Sequence, residues 1–216
     1  MFIFSNLLKK TPQKKIHFEA DSDANSSEWV LEFVKNNDWL CTVEESYIND
    51  NFNLYGLSTN INDYSNAIKI VRGNFVDLTV EQEKVEKNAE ILYGLIHQRY
   101  LMTFAGIKAM EKRYESGLYG HCPRVGCCHQ NLLPVGLSPH PGVDTVKTFC
   151  PSCQDVYDTD YQLDGACFGP YFPHFFVQAL RGDLKLNKPQ PTKLTYMDIP
   201  IDDDSNMNRC KYVHKF

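Results

Sequence analysis

A chain of 216 residues with 12 Gly and 11 Pro is long enough for one medium domain or two small ones. Its 43% hydrophobic and 23% charged residues are an ordinary globular balance, which excludes a wholly disordered or fibrous chain. The net charge of −5 disfavours a nucleic-acid backbone as main partner, and no run is apolar for long enough to cross a bilayer.

Residues 1–27 show no apolar periodicity and are expected to form a disordered N-terminal extension. Phe2 to Leu8 is apolar, but lacks the basic lead and small-residue cleavage site of a signal peptide, so a reducing compartment, cytoplasm or nucleus, is expected. The sequon at Asn25 therefore carries little weight. A helical domain is expected over 28–117. Ser26 or Ser27 caps a first helix with Trp29, Val30, Phe33 and Val34 on its apolar face. Thr42 with Glu45 reads as a capping box for a short second helix, and 53–57 as a turn. Tyr64, Ala67, Ile68 and Val71 make a third stripe, stopped by Gly73. Thr79 with Gln82 reads as a capping box opening the longest helix, whose stripe is Val85, Ala89, Leu92, Ile96 and Tyr100. Ile107, Met110 and Tyr114 form the last stripe, and Gly117 ends it. From Glu28 to Asp63 seven carboxylates face only Lys35, which reads as a solvated acidic face.

At Leu118 the pattern turns to Gly, Pro and short β-leaning runs at 132–135, 146–149 and 155–157, a small β-ribbon expected over 118–180. Within it Cys122, Cys127, Cys150 and Cys153 read Cys-x4-Cys-x22-Cys-x2-Cys. Two such pairs suit a closed tetrahedral zinc site, one structural Zn2+ per chain. Pro123 and Pro151 fix φ after the first thiol of each pair, and Gly126 tolerates positive φ before the second. Cys128 rivals Cys127 as a ligand, and His121 and His129 stand close enough to substitute for a thiol. A disulfide framework would need an oxidising compartment, and a redox Cys-x-x-Cys a βαβ context. Cys41, Cys167 and Cys210 have no partner at ligand spacing and read as buried or free thiols. A short helix from Pro173 to about Leu180 precedes a tail at 181–216. The class is thus α+β.

Catalytic signatures are missing: no Gly-rich phosphate loop, His-Glu-x-x-His, Gly-x-Ser-x-Gly or kinase motif set. The segments at 50–57 (DNFNLYGL), 89–100 (AEILYGLIHQRY), 122–125 (CPRV) and 164–174 (DGACFGPYFPH) resemble the regulatory beta subunit of casein kinase II, collinearly from Trp29 to His174. The resemblance implies a helical domain beside a four-cysteine zinc ribbon and an extended tail. It implies a non-catalytic chain that forms a homodimer through the ribbon and holds two catalytic kinase subunits in a heterotetramer, modulating their activity, stability and choice of protein substrates. By position it implies zinc ligands Cys122, Cys127, Cys150 and Cys153 and dimer contacts Pro123, Val125, Leu137 and Val156. Kinase docking falls on Leu194, Thr195, Tyr196 and Met197. Thr195 and Met197 stand where the family has Tyr-x-Phe, with Tyr196 between them. The family's acidic loop is shortened here to 72–82, with only Asp77 and Glu81. Two other readings compete. A nucleic-acid zinc ribbon has only Arg124 and Lys147 as basic residues between His121 and Tyr157, and a thiol oxidoreductase would rest on Cys150 and Cys153.

Overall fold

Helices fill the first half of the chain and a small antiparallel sheet the second, an α+β arrangement, in a computed structural model that describes residues 27–74, 82–189, 195–197 and 199–200. Residues 1–26 of the extension expected at 1–27, the Thr79 capping position, the acidic positions Asp77 and Glu81, Leu194 and Cys210 lie outside the described residues.

Ser27 caps α1 (Glu28–Asn36): its hydroxyl accepts from the Val30 amide and donates to Val71 O, tying α1 to the end of α3. Val30 and Val34 are buried, while Trp29 and Phe33 stack on each other and meet Tyr93 edge-on. The second helix, α2 (Glu45–Asn49), corrects the expectation at Thr42. Its N-cap is Glu44, with no side-chain cap. The chain stays extended two residues longer, with Val43 buried and its amide donating to Tyr93 Oη at 3.1 Å.

The turn at 53–57 leads into a 3-10 segment, Leu57–Asn60, and then α3 (Tyr64–Val71). This packs along α4 (Gln82–Tyr100), the longest helix, whose stripe Val85, Ala89, Leu92, Ile96 and Tyr100 is buried. Thr103 caps α5 (Phe104–Glu115), with Ile107, Met110 and Tyr114 inward.

Strands β1 (Leu133–Val135), β2 (Lys147–Phe149) and β3 (Val156–Tyr157) form one sheet in that order, with Leu133 opposite Phe149 and Phe149 opposite Val156. A second 3-10 segment, Gly165–Cys167, packs against α4 and the end of β1. It comes so close to Gly136 that a Cβ there would collide with the Gly165 carbonyl, so only glycine fits. Then come α6 (Phe172–Ala179) and, in the tail, a hairpin of β4 (Thr195–Tyr196) and β5 (Ile199–Pro200).

One apolar cluster runs unbroken from α1 through α4 and α5 into the ribbon and α6. Its spine is aromatic: His97 meets Phe168 at 5.3 Å, Phe168 meets Phe172, Phe172 meets Phe176 at 5.7 Å, and Phe176 meets Tyr114 at 5.5 Å. The ribbon therefore does not rely on its own few side chains for a core. It shares that of the helices.

Cys41 and Cys167, which had no partner at ligand spacing, are both buried and are joined through His97. The Cys41 amide donates to His97 Nε2 at 3.1 Å, so the ring proton sits on Nδ1 and donates to Cys167 O at 2.8 Å. Burial drives the His97 pKa from 6.5 down to about 4, and pushes the Cys41 and Cys167 thiols up to about 12. These thiols are inert packing.

The sign of the consequence follows from linkage. Between pH 6.5 and 4 the unfolded chain binds a proton at His97 that the folded chain refuses, so stability falls as pH drops through that window. The expected loss from this one group between pH 7 and 5 is about 2 kcal/mol. His97→Gln keeps a donor and an acceptor but no titration. Urea unfolding of both proteins with excess zinc should show the wild type losing about 2 kcal/mol more than the variant; equal slopes would exclude His97 as the source.

Candidate metal centre

Two turns built alike present the four thiols. In the first, Cys122 leaves a bridge between His121 and Asn131, and its amide donates to Gln130 O. The chain then doubles back so that the Cys127 amide reaches Arg124 O. Gly126 takes a φ of 84°, which a side chain would resist. In the second, the end of β2 delivers Cys150, whose amide donates to Asp155 O, and Gln154 returns a bond to Cys150 O. The Arg124–Asp155 ion pair, 3.0 Å, fastens one turn to the other.

The sulfurs of Cys122, Cys127, Cys150 and Cys153 all lie within 4.8 Å of one another. Cys122 and Cys153 are 3.7 Å apart, Cys127 and Cys150 3.6 Å. A disulfide needs about 2.05 Å, whereas a tetrahedron with metal–sulfur bonds of about 2.3 Å has edges of about 3.8 Å. The donor set therefore fits a single tetrahedral ion that prefers thiolate.

Geometry separates the rivals. Cys128 is exposed, at φ 53°, with its sulfur turned back towards Gly126 O. The His121 and His129 rings meet edge-on at 6.4 Å, and neither is in the sulfur cluster. Cys127 thus belongs to the site and Cys128 does not.

Tyr157, which the sequence suggested only as part of a strand, serves the cluster: its hydroxyl lies 3.5 Å from Cys122 Sγ and 3.3 Å from Cys153 Sγ. Burial raises the Cys127 and Cys150 thiols. At Cys153 burial acts in the same sense, but bonds from the Tyr157 hydroxyl and the Asp155 backbone favour the thiolate and bring it down to about 7. An ion bound here must displace protons from the two deepest thiols, so its affinity falls in acid.

Around the centre the surface is apolar more than basic. Pro123, Val125, Leu137 and Val156 are all exposed, Val125 at 74%. Arg124 is paired with Asp155, and Lys147 with Asp144 and Asp158. Both cations of the ribbon are thus already neutralised, which works against the nucleic-acid reading. In the tail, Met197 sits just after β4, 80% exposed and at φ 50°. Thr195 and Tyr196 form β4 itself.

Comparison with known proteins gives these features a context. Residues 28–199 match the casein kinase II regulatory subunit family. The chain is 44% identical to a putative casein kinase II subunit beta-4 of Arabidopsis thaliana over 179 residues, 78% of this chain and 63% of the relative. It is 41% identical to casein kinase II subunit beta of Dictyostelium discoideum over 170 residues, 74% and 63% of the two chains. With casein kinase II subunit beta of Schizosaccharomyces pombe it shares 44% over 168 residues, 74% and 72%. The match spans just under two thirds of the length of the first two relatives.

Proposed function

Because the chain belongs to the casein kinase II regulatory subunit family, we propose that it is a non-catalytic subunit that pairs with a second copy of itself and holds two catalytic kinase subunits. The observation that carries this reading is the four-thiolate cluster ringed by exposed apolar side chains. A ribbon that shares its core with the helices has no need of Val125, Leu137 and Val156 for its own packing, and leaving them in water is unfavourable. A two-fold contact that buries the same patch from both copies removes that penalty.

The ion is zinc in this reading, held by Cys122, Cys127, Cys150 and Cys153, and it supplies folding free energy, not chemistry. With no open coordination position, such a centre has nowhere to bind a substrate. The subunit acts by holding, stabilising and presenting its kinase to protein substrates, in the cytoplasm and nucleus. Sedimentation of the chain with and without the catalytic subunit tests the assembly: a dimer alone and a heterotetramer with the kinase are expected, and a chain that stays monomeric in both refutes it.

The kinase contact falls on Leu194 to Met197. Met197 directly follows β4 and is 80% exposed, so its thioether is open to a partner. Its flexible side chain suits a pocket that an aromatic ring fills elsewhere in the family. Met197→Ala is expected to weaken binding to the catalytic subunit by about 2 kcal/mol, roughly thirtyfold, as expected for a hot-spot residue. Calorimetry checks this beside Tyr196→Ala. A larger loss at Tyr196 would move the anchor there, and no loss in either would remove the hairpin from the contact.

A further inference from the structure

Beyond α6 the chain turns at 181–184, packs Leu184 on the core, and then crosses the metal centre. Among the described residues, Asn187 makes the polar contacts of that crossing. The Asn187 amide donates to Gln130 Oε1 at 2.8 Å, its side-chain amide donates to Cys128 O at 3.2 Å, and its carbonyl accepts from the Ser152 hydroxyl. Gln130 and Cys128 follow the first pair of ligands, while Ser152 lies between the two ligands of the second. Asn187 therefore touches both halves of the centre.

The seat is built in. Gln130 is only 5% exposed, and its side-chain nitrogen is already committed to Tyr114 Oη at 2.7 Å, at the end of the aromatic spine. Its carbonyl oxygen is left to accept, and the Asn187 amide supplies that bond. A buried acceptor without a partner is costly, so the centre favours the tail in this position. Asn187 lies eight residues before Thr195, the first residue of β4.

We propose that Asn187 is the positioning residue that seats the tail on the closed metal centre, so that metal binding sets where the hairpin at 195–200 is offered to its partner. The proposal rests on the reading that this hairpin docks a catalytic kinase subunit. Loss of the metal separates the two turns, removes the seat and frees the tail, apart from any effect on dimerisation.

The test uses full-length zinc-loaded chain and the double variant Ser152→Ala/Asn187→Ala. It removes two of the three bonds and leaves Gln130 and the core untouched. Zinc content and sedimentation should match the wild type. Amide exchange over 184–189 and tryptic cleavage after Lys185 should rise at least about tenfold, as expected for two lost hydrogen bonds, and the Kd for the catalytic subunit should rise by about tenfold. Val156→Glu, which leaves the seat alone, should keep the slow exchange. Unchanged exchange in the double variant would overturn the seat. Raised exchange with unchanged Kd would overturn its coupling to docking. A wild-type chain that shows slow exchange yet binds no catalytic subunit would overturn the docking reading instead, and the coupling with it.

Discussion

Cys150→Ser is expected to empty the metal centre and unfold the ribbon while α4 and α5 stay helical. Cys150 is the best buried of the second pair, at the end of β2, and its sulfur stands 3.6 Å from that of Cys127. A serine hydroxyl is a hard, neutral donor with a shorter reach, so three thiolates remain around an ion that four had closed. Structural zinc sites of this kind contribute about 10–16 kcal/mol of apparent binding free energy. That is comparable to the whole stability of an ordinary domain, about 5–15 kcal/mol, so the ribbon is not expected to survive the loss. The helical half has its own buried stripe on α3, α4 and α5 and should persist. Elemental analysis and circular dichroism check both statements. One zinc per chain in the variant would sink the first, and complete loss of helix the second. Cys128→Ser, by contrast, should keep its zinc, because that sulfur points away from the cluster.

Val156→Glu is expected to give a folded, zinc-loaded monomer. Val156 lies on β3, and 46% of it is exposed in the single chain, so a glutamate there meets water and costs the fold little. In a two-fold contact the same carboxylate would be buried twice with no cation opposite, since Arg124 and Lys147 are already committed to carboxylates. An uncompensated buried charge costs about 3–5 kcal/mol, enough to move a micromolar dimer to a monomer at working concentrations. Sedimentation at micromolar concentration decides it. A persistent dimer would place the interface on another face.

Local patterns in the sequence carry a good part of this outcome. The stripes on α3, α4 and α5 are legible because a 3.6-residue period sorts each residue by face without reference to the rest of the chain. Ser27 is legible as a cap for the same reason: its bond to Val30 spans three residues. The capping box at Thr42 fails because Val43 answers to Tyr93, fifty residues away, before it answers to its neighbours. Cys41 and Cys167 looked unpartnered because their link, His97, is 56 and 70 residues distant, and no spacing rule reaches so far.

Thus the sequence by itself determined that two thiol-bearing turns lie in a β-ribbon after a run of helices, since metal spacing and amphipathic period are properties of short segments, but it left Cys127 and Cys128 as rivals. Tertiary structure alone decided that Cys127 and not Cys128 enters the cluster, through the left-handed turn after it. It decided that Tyr157 bonds two of the sulfurs, and that Asn187 lies across both turns. Each of these includes a contact between residues far apart in the chain, Cys127 with Cys150, Tyr157 with Cys122 and Asn187 with Gln130. Contacts of that kind exist only once the core has brought the ribbon, α5 and the tail together, because closing such loops costs entropy that local pairing cannot offset.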